Sequence, residues 1–202
     1  TPFTVGAVTF ATNTTFSIGS GTTYSPTLSV NYPAAGQVSN GITLKSGALL
    51  TTNGTMLLGG STSYTYIDGE LTVTGGNFNV RTNLYIANTI TAGTSAIVNI
   101  QTGGTLNVKN VATIGKNGRL GTVNVNGGTF SSENQATGGI TVGTTSSTGP
   151  GVLNINSGLV SINRLPSGLT INTYGTINID AGSMVLAGNQ ATAIATFISS
   201  NK

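Results

Sequence analysis

Asp68, Glu70, Glu133 and Asp180 are the only carboxylates in this 202-residue sequence, which contains neither histidine nor cysteine. General acid–base catalysis and hard-cation binding both need such groups gathered within a few ångströms. Asp68 and Glu70 are two residues apart and would share one face of a strand. Asp68-Gly69 also reads more simply as a turn. Asp180 falls at the repeat position held elsewhere by Thr74, Gln101, Asn126 and Asn156. That puts it about four coils from Asp68, roughly 19 Å at the spacing of stacked strands. Glu133 sits in the insert "SSENQATGG", read as a surface loop. No catalytic constellation is visible, so the expectation is a protein that is not an enzyme, with no metal and no cofactor.

The remaining chemistry-bearing residues point to contacts rather than catalysis. Tyr64 and Tyr66, in "STSYTYIDG", would face the same side of a strand as a small platform for stacking on a glycan. Asn13 and Asn53 open N-x-T sequons and are candidate glycosylation sites. The seven cations are scattered, and only Lys116 and Arg119 lie close together. A net charge of +3 without a basic cluster argues against nucleic acid, whose binding requires gathered cations to release counterions.

Charged residues make up 5% of the chain, against roughly 25% in an average domain, so the surface must be coated with Thr, Ser, Asn and Gly. No run of eighteen apolar residues is present, and no membrane insertion is expected. Opening at Thr1 rather than Met, the chain reads either as a mature product whose signal was removed or as a cut piece; its low charge, Thr/Asn/Gly richness and lack of Cys fit the expected extracellular or cell-surface location.

What positions all of these residues is a repeat. "GELTVTGGNF", "AIVNIQTGGTL", "GTVNVNGGTF", "GVLNINSGLV" and "GTINIDAGSM" are versions of one phrase, an apolar-polar-apolar run followed by a glycine corner. Anchoring on Gly47, Gly76, Gly104, Gly128, Gly158 and Gly182 gives steps of 24 to 30 residues, a solenoid period. Within each repeat, runs such as Val98-Asn99-Ile100 and Val123-Asn124-Val125 alternate at the period of a strand, apolar side in. A second run follows the corner, as in Leu106-Asn107-Val108, and a third follows a break, as in Leu169-Thr170-Ile171. Three short strands per turn make an all-β, parallel β-solenoid of about six coils, right-handed by the usual crossover rule.

Asn99, Asn124, Asn154 and Asn178, with Thr72 before them and Thr43 before that, recur at one repeat position. Stacked in register they would form a hydrogen-bonded polar ladder; the plainer alternative is a tolerated outward polar residue. Residues 1–38 alternate but lack the repeat, and are read as an N-terminal β segment, either a cap or a strand donor to a neighbour. Residues 39–186 hold the solenoid. Residues 187–202 lose the glycine corners and are read as a C-terminal cap.

"GELTVTGGNFNVRTNLYIA", "GTLNVKNVATIG" and "GTVNVNGGTF" resemble the autotransporter-associated β-strand repeats and related Asn/Gly-rich repeats of large exported bacterial surface proteins. The resemblance covers roughly residues 41–186. It implies a parallel β-helix outside the cell acting as a spacer or stalk, and brings no shared catalytic residues with it. The chain departs from that family in its short length and in lacking a membrane-barrel segment.

Unpaired strand edges at both ends of such a solenoid, with few charges to block them, lead to the expected function. It is a secreted structural protein, a subunit of an extracellular filament, sheath or surface layer, associating with itself by head-to-tail stacking or strand addition. An adhesin or stalk module binding surface glycans is the alternative, and a polysaccharide-active β-helix enzyme a third.

Overall fold

The computed structural model describes residues 3–5, 8–10, 15–18, 27–30, 42–44, 49–52, 55–58, 64–67, 70–74, 76–80, 83–88, 95–117, 119–134, 136–145, 149–164 and 168–188. Before Glu70 it defines strand positions, with burial described only for Thr65 and Ile67.

Strands follow one another in a recurring three-step path. The early rungs are β1 (Phe3–Val5), β2 (Val8–Phe10), β3 (Thr15–Ile18), β4 (Thr27–Val30), β5 (Ile42–Leu44), β6 (Leu49–Thr52), β7 (Thr55–Leu58) and β8 (Tyr64–Ile67). Four turns follow: β9 (Glu70–Val73), β10 (Gly76–Val80) and β11 (Asn83–Ile86); β12 (Ala96–Gln101), β13 (Gly104–Val108) and β14 (Val111–Ile114); β15 (Gly121–Ser132) with β16 (Gly139–Val142); and β17 (Gly151–Ile162) with β18 (Leu169–Ile171). The last rung is β19 (Gly175–Ile179) and β20 (Ser183–Leu186). In the third and fourth turns one twelve-residue strand runs through the glycine corner and serves two sides.

Every pairing is parallel and joins a strand to its counterpart one turn away, so the chain is an all-β parallel β-solenoid. Three columns result. Column A contains β3, β6, β9, β12, the first halves of β15 and β17, and β19. Column B contains β1, β4, β7, β10, β13, the second halves of β15 and β17, and β20. Column C contains β2, β5, β8, β11, β14, β16 and β18. The coil count differs from the six expected: four turns are described with their side chains, and strands before and after extend the same columns. Residues 1–38, expected to lack the repeat, contribute β1 to β4, which pair with the turn that follows. The expected cap at 187–202 lies, from residue 189 on, outside the described residues.

The alternation in sequence becomes alternation in burial. β12 reads buried at Ala96, Val98 and Ile100 and half-buried between them, and β13 repeats the pattern. Inside, like stacks on like: Phe78, Leu106, Phe130 and Val160 lie in register and are fully buried, as are Val98, Val123 and Leu153. Each such side chain contributes about 1.5–3 kcal/mol, but only once a neighbouring turn covers it, so the phrase must repeat.

The corner between columns A and B demands glycine. A Cβ on Gly128 would sit 2.5 Å from the carbonyl oxygen of Gln101 and 2.6 Å from that of Gly104. The next residue, Thr129, pairs with Thr105 and Leu159, and the corner glycines of the adjacent turns are Gly104 and Gly158, the latter at φ +88°. At the lower end Phe78 pairs with Met56, a step of 22 residues rather than the 29 given by the Gly47 anchor, and Gly47 itself lies outside the described residues.

Candidate functional site

The outward positions of column A form a continuous side-chain ladder. Asn178 Nδ2 donates to Asn154 Oδ1 at 2.8 Å, Asn154 Nδ2 to Asn124 Oδ1 at 2.8 Å, and Asn124 Nδ2 to Asn99 Oδ1 at 2.9 Å. Backbone register puts these residues directly above one another. Every amide in the series points its donor toward the earlier turn. The aligned dipoles polarise one another and leave a positive end at Asn99 and a negative end at Asn178.

Thr72 occupies the next position down, in register with Asn99, but the ladder does not pass through its hydroxyl. Asn99 Nδ2 reaches diagonally to Glu70 Oε1 at 3.0 Å, and Thr72 Oγ1 donates to the same oxygen at 3.4 Å. A carboxylate therefore terminates the donor end, the arrangement that favours an anion at a helix N-terminus. Glu70 lies on the same strand face as Thr72, two residues away, a role that the sequence reading, which paired Glu70 with Asp68, missed. The position below Thr72 belongs to Thr51; Thr43 lies in column C, paired with Thr9 and Tyr66.

Further ladders run beside this one. In column B, Asn107 Nδ2 donates to Asn79 Oδ1 at 3.5 Å, and Ser131 Oγ to Asn107 Oδ1 at 2.8 Å. At the corners Asn156 donates to Asn126 at 2.8 Å and Asn134 to Asn110 at 3.0 Å. These pairs are legible in the sequence only once the turns are aligned, because inserts change the spacing from 24 to 30 residues.

Among the described residues the carboxylates are not gathered. Glu70 ends one ladder, and Glu133 accepts from Asn107 in another. The backbone amide of Asp180 bonds Ile155 O beyond β19. Asp68 lies outside the described residues. Among the described residues no group of three or more His, Cys, Asp and Glu could hold a metal ion, and no helix is long and apolar enough to cross a membrane.

Of the tyrosine platform, the strand positions are described. Tyr64 pairs with Asn83, and Tyr66 stands between Thr43 and Tyr85 in column C. The Tyr85 ring carries Lys116 Nζ 5.2 Å from its centroid. That cation–π contact occupies one face of the ring. Asn13 and Asn53, the candidate glycosylation sites, lie outside the described residues.

The other feature with binding capacity is the terminal rung. Among the described residues β18, β19 and β20 each pair on one side only. Ile177, Met184 and Leu186 are partly buried against the core, while Ile179 is 56% and Val185 54% exposed. The negative end of the asparagine ladder, Asn178, is on the same rung. Backbone edge, apolar positions and a side-chain acceptor thus lie together. No family model, no curated protein and no solved structure matches the chain.

Proposed function

We propose that this chain is a structural protein that associates with itself, a β-solenoid subunit of an extracellular filament, sheath or surface layer joined head to tail. The observation carrying this reading is the rung of β18, β19 and β20, a parallel edge that pairs on one side only among the described residues, with Ile179 and Val185 exposed. An exposed strand edge is a template for another strand. A contact between the two different ends of one molecule does not close on itself, and its repetition produces a filament.

The lateral surface supports the same role. Its ladders are made of Asn and Ser, with single carboxylates at Glu70 and Glu133, rather than of ion pairs, so their strength depends less on salt than that of a charged surface would. The resemblance of residues 41–186 to repeats of exported surface proteins agrees with an extracellular location. The role is mechanical and non-enzymatic, with a second copy of this chain as partner.

Sedimentation velocity across a concentration series, with negative-stain electron microscopy, tests this. Filaments lengthening with concentration are expected, and Ile179→Asp combined with Val185→Lys should stop them by placing charges on the rung. Short rods of one subunit at every concentration contradict the proposal.

A further inference from the structure

The two ends of the solenoid are out of phase by one strand. Among the described residues columns A and C each hold seven rungs and column B holds eight, with β15 and β17 counted in both A and B. Whole turns would give equal columns, so the described strands amount to seven turns plus one strand. The path runs A, B, C and back to A, each turn advancing one strand spacing.

Consider a second copy placed end to end so that its β2 covers β18 and its β3 covers β19. Columns C and A then continue without a gap. The same placement puts the second copy's β1 at the level that β20 of the first copy already fills. Both strands belong to column B, and only one can lie between β17 below and the second copy's β4 above.

We infer that copies join by strand replacement: β20 of one molecule takes the place of β1 against β4 of the next. This rests on the head-to-tail reading above. β20 spans four residues held in register by β17, and its Met184 and Leu186 already pack on the core. β1 spans three residues, paired to β4 at Phe3–Leu28, Thr4–Ser29 and Val5–Val30.

The junction matches position by position. Column C would join Leu169, Thr170 and Ile171 to Val8, Thr9 and Phe10. Column A would join Ile177, Asn178 and Ile179 to Phe16, Ser17 and Ile18, bringing a serine to the acceptor end of the asparagine ladder. Column B would join Met184, Val185 and Leu186 to Leu28, Ser29 and Val30, the positions β1 occupies in the single molecule. In each column apolar types meet apolar types, except Val185 opposite Ser29. β1 is then a built-in plug that must leave before the molecule can be extended.

The test uses the full chain, which has no native cysteine. Ser29→Cys with Val185→Cys, treated with a short bifunctional thiol reagent, should yield covalent dimers and longer ladders once the protein assembles. Thr4→Cys with Val185→Cys should give several-fold less. Deleting residues 1–7 should shorten the lag before assembly several-fold. Filaments without the 29–185 cross-link, or an unchanged lag in the deletion, overturn the junction while leaving the filament reading standing. A shortened lag on deleting residues 189–202, with none on deleting 1–7, overturns it in favour of the chain's own tail as the occupant of the rung. If the full chain does not assemble at all, the filament reading itself has failed.

Discussion

Asn99 Nδ2 lies 3.0 Å from Glu70 Oε1, so the asparagine ladder of column A starts on a carboxylate and passes over the hydroxyl of Thr72. The reason is reach. A glutamate two residues back on the same strand face extends to the donor above, and its carboxylate is a stronger acceptor than the hydroxyl in register with that donor. The negative charge meets the positive end of four aligned amides.

Glu70→Gln keeps an acceptor beneath Asn99 and removes the charge, so a small loss of about 0.5–1.5 kcal/mol is expected. Glu70→Ala leaves the Asn99 amide without its acceptor and should cost more. Denaturant midpoints of the two variants check the order; equal midpoints would remove Glu70 from the ladder.

Asn124 both donates to Asn99 and accepts from Asn154. Asn124→Ala should therefore destabilise by about 1–2 kcal/mol, with water offsetting part of the loss at this half-buried position. Asn124→Asp should cost more, because its carboxylate would face the Asn99 carbonyl oxygen. An Asp variant as stable as wild type contradicts the donor direction.

Gly128→Ala should be among the most damaging single-methyl changes, since the added carbon would meet two backbone carbonyls that cannot step aside. A loss of about 1–3 kcal/mol is expected from overpacking alone. Thermal melts decide it, with no shift in the melting temperature as the contrary result.

Phe130 is fully buried, stacked between Leu106 and Val160. Phe130→Ala should cost about 3–5 kcal/mol. Because each turn supports its neighbours, loss of cooperativity should accompany it, visible as a broadened unfolding transition. A sharp transition at the wild-type midpoint would contradict the shared core.

The three-strand turn and the asparagine column were legible because the phrase around Asn99, Asn124, Asn154 and Asn178 repeats nearly unchanged. The lower register was not. Thr43 and Thr51 both sit in alternating runs, and only the pairing of β6 with β9 selects Thr51 as the residue beneath Thr72. Glu70 was hidden by its neighbours, since Asp68-Gly69 reads as a turn before the next residue is considered. The phase of the two ends was hidden for a different reason: it depends on counting rungs across the whole chain, and β1 to β4 carry no copy of the phrase.

Diffraction from aligned filaments tests most directly whether the turns continue from copy to copy. Head-to-tail stacking sets strands across the filament axis, so a meridional reflection at about 4.7–4.9 Å is expected from assembled protein. Filaments with that spacing directed away from the axis, or a chain that remains single short rods at every concentration, would contradict it.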